Sequence, residues 1–229
     1  MAEAAPHIGT LREKPLHAAL KRWYSRPGDG IEVPVGGFVI DLVRDGLLIE
    51  VQTSGFSSMR RKVSALLDQG HRIRIVHPVA LDKDIVKLGP DGSIISRRRS
   101  PRHGNTTDVF RELVSFPELL TSANLEIEVL LTKEEEHRSH TPGRAWRRNG
   151  WTISERHLVE VTGSSLLSNP DDLAALLPAG LPDFFTTGEL ASGLGRPLRS
   201  AQQMAYCLRK TGVIVADGKR GNAVVYRVA

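Results

Sequence analysis

Apolar positions recur along this chain in two rhythms, and the switches between them give an order of elements. In PLHAALKRWY, Leu16, Ala19, Leu20 and Trp23 fall at helical spacing and Pro15 suits a first turn, so a helix is predicted over 15–24. RPGDG ends it. IEVPV, FVIDLV and LLIEVQ then read as three short strands, joined at Gly36-Gly37 and Asp45-Gly46, residue types that favour two-residue hairpin turns. FSSMRRKVSALLDQG returns to helical spacing, with Met59, Val63, Leu66 and Leu67 on one stripe and Gly70 as the stop. HRIRIVHPVA is a further strand. The order α-β-β-β-α-β predicts an α/β (α+β) fold, a mixed β-sheet flanked by helices.

Further on, DIVKL and SIISR form a hairpin across GPDG that leads into a basic loop, RRRSPRHG. DVFRELVSFPELL predicts a helix and LEIEVLL a strand. Residues 134–148 read as charged and irregular, and WTISERHLVEV fits strand or helix. Two prolines and a glycine in LPAGLPD mark a boundary. It divides residues 1–180, with a core at 10–80 and an extension at 81–180, from a small domain at 181–229. In that domain TTGELASGL is a helix capped by Thr186 or Thr187, GRP is a turn, and LRSAQQMAYCLRKTG is a second helix. The closing hairpin, VIVAD-GKRGN-AVVYRV, completes the order of a winged helix-turn-helix. Leu198, Ala201, Ala205 and Leu208 are expected inward, and Arg199, Gln202, Gln203 and Tyr206 outward.

Composition narrows the classes. No stretch approaches the roughly 20 apolar residues of a membrane span, so no membrane partner is expected. MAEAAPHIGTLREK lacks the basic start and apolar stretch of a secretory signal. Cys207 is the lone cysteine, which excludes an internal disulfide and cysteine-based zinc sites and suits a reducing cytoplasm. No phosphate-binding glycine loop and no G-x-S-x-G elbow occurs, so nucleotide-driven hydrolysis, hydride transfer and that serine chemistry are unsupported. Formal net charge is +5, and between residues 181 and 229 seven basic residues face three acidic ones. A basic terminal module suggests a polyanion partner, with a solubilising surface as the alternative.

The candidate chemistry comes from register. A two-residue turn at Asp45-Gly46 pairs Leu42 with Ile49 and Asp41 with Glu50; the same construction at Gly36-Gly37 sets Glu32 against Asp41. Three carboxylates then line up across adjacent strands. Opposed like charges destabilise a sheet unless a cation compensates or water reaches them. Oxygen donors of this kind suit Mg2+ or Mn2+, and the apolar strands around them argue against a freely solvated face.

This arrangement, with Asp41 on the second strand and Glu50-Val51-Gln52 on the third, resembles the PD-(D/E)XK nuclease superfamily over roughly residues 10–80. The resemblance implies that Asp41 and Glu50 bind the metal, with the Val51 carbonyl as a further donor and Glu13 as a helix-borne one. It implies metal-assisted phosphodiester hydrolysis. Two departures stand out. Ile40 occupies the position of the family's Pro, and Gln52 replaces its Lys, as in some restriction-type members. Gln52 cannot titrate, so its catalytic role would be to orient water or a phosphate oxygen.

Other residues carry two readings each. Lys62, with Arg60 and Arg61, either steadies the scissile phosphate or lines a solvated helix flank. Glu13 follows Thr10 at capping-box spacing, so capping competes with metal binding. Glu32 is either a ligand or an edge-strand acid. Arg97, Arg98 and Arg99, with Arg102, clamp a nucleic-acid backbone or form a solvated loop. His17, His71, His77 and His103 read as structural or exposed, and Glu134–Glu136 as a solvated turn. Arg199, Gln202 and Gln203 would read a groove, and Lys219 and Arg220 at the hairpin tip would reach a phosphate. The reading is a Mg2+-dependent nuclease (Mn2+ as the substitute ion) acting on nucleic acid, DNA favoured. The alternative is an inactive nuclease-like DNA-binding regulator. A homodimer or larger assembly is left open.

Overall fold

The computed structural model describes residues 13–229. Helix α1 (Pro15–Tyr24) precedes a meander of β1 (Gly30–Val35), β2 (Phe38–Arg44) and β3 (Leu47–Val51). Both hairpin turns pass through two residues of positive φ, Gly36 (57°) with Gly37 (83°) and Asp45 (47°) with Gly46 (77°), a backbone that glycine adopts at little cost. Helix α2 (Arg60–Asp68) follows a short 3-10 turn at Phe56–Met59, and then come β4 (Arg72–Leu88), β5 (Ile94–Arg99), α3 (Phe110–Leu113), β6 (Leu125–His140), β7 (Trp151–Leu167) and α4 (Pro170–Ala174). The seven strands form one mixed sheet in the order β1-β2-β3-β4-β6-β7, with β5 also on β4. The α/β architecture is therefore the expected one.

Alternate residues of the central strands feed two cores, as the pleat requires. Ile49 and Val76 pack under α1 with Leu16, Leu20, Tyr24 and Leu42. Leu48 and Ile75 face α2 and α3, together with Val63, Leu66, Phe110 and Leu113. Trp23, expected on the inner face of α1, is 52% exposed. Tyr24 takes the inner place, one turn beyond Leu20, and its hydroxyl bonds Glu128 and Arg74.

Three elements differ from the pattern-based reading. RIRIVHPVA and DIVKL are one strand, β4. Arg97–Arg99 pair with Asp84–Val86 as β5 rather than forming a loop. Glu134–His140 belong to β6 rather than to an irregular stretch, because Glu134 and Glu136 are buried and disguise the alternation. The helix expected over DVFRELVSFPELL is broken into α3 and flanking 3-10 turns at Thr106–Val109 and Pro117–Thr121.

One edge of β4 is shared. β3 pairs with Arg72–Val76 and β5 with Asp84–Leu88, which leaves a gap between them. Pro78, which has no amide hydrogen to offer, lies in that gap. Ala80 and Lys83 carbonyls there accept from Gly104 N–H (3.0 Å) and Ser100 N–H (2.7 Å).

After α4, the chain forms β8 (Phe185–Thr186), α5 (Thr187–Leu194), α6 (Leu198–Lys210), β9 (Ile214–Arg220) and β10 (Ala223–Val228), with a sheet order of β8-β10-β9. Thr186 caps α5 in a reciprocal box with Glu189. Ala201, Met204, Ala205 and Leu208 bury one face of α6 and join the same apolar core as Phe110 and Leu113. Leu198, expected inside, is 49% exposed at the first position of α6, and Met204 and Cys207 fill the interior instead.

Candidate active site

β2 and β3 pair from Arg44–Leu47 through Leu42–Ile49 and then part. Beyond that point β2 continues on β1, and Glu50 and Val51 continue on β4. The expected register holds up to the acids, but Asp41 and Glu50 are not a ladder pair. Two carboxylates held face to face would repel, and Asp41 turns instead to accept the Val51 N–H at 2.9 Å. Ile40 and Leu42, two residues apart, bury in different cores, so the pleat itself breaks at Asp41. Glu32 leaves its ladder too. Between the pairs Ile31–Leu42 and Val33–Ile40 it adopts φ of 52°, a left-handed backbone that costs a non-glycine residue about 1–2 kcal/mol.

Cationic side chains from both helices close on this fork. From α1, His17 sets Nε2 3.3 Å from Asp41 Oδ2 and Nδ1 2.5 Å from Glu13 Oε1. Lys21, one turn on, bridges Glu13 (3.0 Å) and Glu32 (2.9 Å). From α2, Lys62 Nζ donates to Glu50 Oε1 at 2.6 Å and to the Val39 carbonyl at 2.5 Å. The Asp41 and Glu50 side chains keep only 20% and 11% of their exposure. Burial pushes the Asp41 carboxyl up, but His17 and the Val51 amide outweigh it and leave it below the usual range. Asp41 in turn holds the His17 imidazole above its ordinary value, against burial. Glu50 is raised by burial first and by the Asp41 charge second, with Lys62 opposing both.

Of the residues predicted for the site, Asp41, Glu50, Lys62, Glu13 and Glu32 converge here, the last two through Lys21. Gln52 does not: its amide donates to the Ser54 carbonyl at 2.6 Å and closes the turn after β3. Thr10, the proposed capping partner of Glu13, lies outside the described residues; the described helix begins at Pro15. His17 and Lys21 belong to the cluster although the spacing reading set His17 aside. Their signal was present in the four-residue spacing of Glu13, His17 and Lys21, although only His17 and Lys21 lie on α1 and Glu13 precedes it.

Two clefts flank the fork. One, of about 600 Å³, includes Glu13, Lys21 and Glu32 in its wall. A larger groove of about 730 Å³ fills the gap beside β4, beginning at Thr53 and Ser54 and ending at Arg196, Ser200 and Gln203. Lys83, Arg102, Arg111 and Arg156 line it against Asp108 and Glu112. Asp41 and Glu50 line neither cleft. They connect to the first through His17 and Glu13 and to the groove through residues 51–54. Arg60 pairs with Glu118, Arg97 with Glu135 at 2.8 Å, and Arg99 with Asp82 at 2.6 Å. Arg61 and Arg98 are exposed, as are Arg199, Gln202 and Lys219, while Arg220 binds Glu189. None of these reaches the fork.

Fold and site together define a mixed α/β protein with a polar cluster at a strand fork and an attached basic helix-helix-hairpin unit. The chain belongs to the family of the Domain of unknown function (DUF8091), which matches residues 14–168, from α1 to the end of β7. It is 33% identical over 222 residues to an uncharacterized protein of Treponema pallidum (strain Nichols), covering 96% of this chain and 87% of that protein. That match extends beyond β7 into the C-terminal elements. No solved structure matches the chain. Among the described residues no helix is long and apolar enough to cross a membrane.

Proposed function

We propose that this protein is a metal-dependent nuclease that hydrolyses phosphodiester bonds, with DNA the favoured substrate. One observation carries the reading: two carboxylates from parting strands, Asp41 and Glu50, share a half-closed fork in which burial first and the Asp41 charge second raise the pKa of Glu50. An all-oxygen donor set of two partly buried carboxylates, balanced here by Lys62 and His17, fits a hard divalent cation such as Mg2+ or Mn2+. Asp41 Oδ2 takes both of that residue's bonds, to Val51 N–H and His17, so Oδ1 has no partner among the described residues. Asp41, Glu50 and the Val51 carbonyl would hold the ion. Glu13 and Glu32, already engaged by His17 and Lys21, would act as outer partners.

Bound there, a divalent ion would stabilise charge on a phosphate oxygen and lower the pKa of an attacking water. The chain's own residues supply the rest. Lys62 opposes the burial and the Asp41 charge that raise Glu50 and, once the Glu50 charge is otherwise balanced, can turn its ammonium to a phosphate oxygen. His17 holds Asp41 in place and passes its second N–H to Glu13. The basic groove, with the N-terminal turn of α6 at its end, offers a path for a phosphate backbone. In this reading residues 181–229 act as a winged helix, with Arg199, Gln202 and Lys219 exposed toward DNA. The setting is the cytoplasm, where the buried Cys207 stays reduced.

A second reading, a DNA-binding regulator without cleavage, is favoured by Gln52, which faces its own loop, and by Lys62 and His17, which already neutralise the two acids. Incubating the purified chain with plasmid and single-stranded DNA in Mg2+, Mn2+ or EDTA separates them. The nuclease reading expects cleavage that EDTA stops and that D41A or E50A reduces to background. DNA binding that is indifferent to metal, with intact substrates throughout, would establish the regulator.

A further inference from the structure

We infer that β6 and β7 carry a separate transition-metal site, built from His137, Glu155 and His157, that takes an ion of the Zn2+ class. The two strands each hold a Glu-x-His triplet, Glu135-Glu136-His137 and Glu155-Arg156-His157. Antiparallel pairing sets His137 opposite Glu155 and Glu135 opposite His157. Residues two apart on a strand share a face, so the four side chains form a square with the imidazoles on one diagonal.

The square is compact. One ligand atom from each of His137, Glu155 and His157 lies within 4.8 Å of the others. The imidazole rings stand 4.3 Å apart, and each Nε2 is beside a carboxylate, His137 at 3.1 Å from Glu135 and His157 at 2.9 Å from Glu155. Donors around a tetrahedral ion, each at about 2.1 Å, sit about 3.4 Å from one another. Side chains that are 20%, 51% and 36% exposed can close the remaining distance by rotation, with no change in the backbone. Arg97 holds Glu135 at 2.8 Å, so this acid serves as the outer partner that orients His137. Three protein donors leave one position for water or an external ligand. Paired imidazoles select Zn2+, Co2+, Ni2+ or Cu2+ over Mg2+, so this site differs in chemistry from the fork at Asp41 and does not rest on the nuclease reading.

The test is a cobalt titration of the untagged, chelator-stripped full chain, followed by visible absorption. The expected result is a tetrahedral ligand-field band that saturates at one Co2+ per chain and that Zn2+ displaces, whatever ion the oxygen donors at the fork take up without that band. H137A and H157A each remove the band, E155Q weakens binding about tenfold in keeping with loss of one ligand, and D41A with E50A leaves it unchanged. Zn2+ should also raise the melting temperature of the wild type and not of H157N, a readout that holds if an alanine variant folds poorly. Absence of uptake at micromolar Co2+, wild-type binding by H137A and H157A, or a band lost with D41A and E50A would each overturn the assignment.

Discussion

Asp41 does three jobs at one point in the sheet: it satisfies a backbone amide that the parting strands would orphan, it anchors an imidazole, and its charge acts on Glu50. The coupling to His17 is measurable. His17 should titrate above the ordinary imidazole value, and D41N should return it toward that value in an NMR pH titration. The sign for stability follows from linkage. A raised His17 contributes fully below its unfolded pKa of about 6.5 and loses that contribution as pH climbs through the folded value. A lowered Asp41 contributes above about 3.8 and loses it as pH falls through its folded value. The stability difference between wild type and D41N should therefore be largest between roughly pH 4 and 6.5, on the order of 1 kcal/mol. An unshifted His17 would mean that it does not pair with Asp41 as described. At this scale the sequence was informative about register as far as the pair Leu42–Ile49, because two-residue glycine turns fix the count; the further pairing of Asp41 with Glu50 does not form. It was silent on the fork, where Asp41 bonds the Val51 amide and His17 and Lys62 reach the two acids from helices distant along the chain.

Elements show the same division. The meander and α2 were legible because their apolar periods are clean and their turns are marked by glycine. β6 was not, because its buried face carries Glu134 and Glu136, the latter paired with Lys83 at 2.8 Å and with Arg138 at 2.5 Å, so inside and outside are both charged. The gap in the edge of β4 is held open by Pro78 and capped by the segment 100–104. Gly104 has a definite reason to be glycine there: a Cβ would lie 2.5 Å from the Ala80 carbonyl oxygen and 2.7 Å from Val79. Gly104→Ala should cost about 1–3 kcal/mol in urea unfolding, since backbone atoms must move to admit the methyl group. A wild-type midpoint would mean that the segment does not pack as described.

Across the whole molecule, the fork, the basic groove and α6 follow one another, and a shared apolar core ties the C-terminal elements to the main body. Composition alone located the excess of positive charge in the last fifth of the chain. It did not show that Arg102, Arg111 and Arg156 from the body meet Arg196 across one groove. If this groove carries DNA, replacing Arg111 and Arg156 with alanine should weaken binding to all sequences alike and reduce the slope of log affinity against log salt by about one per lost phosphate contact. Unchanged salt dependence would move the path elsewhere. In the proposed function, Asp41 and Glu50 jointly seat a divalent ion. Electron paramagnetic resonance of Mn2+ with the H137A/H157A chain and duplex DNA addresses it without relying on turnover. The expected result is a bound ion that is lost in the D41N/E50Q background; equal Mn2+ occupancy with and without those two carboxylates would rule the site out.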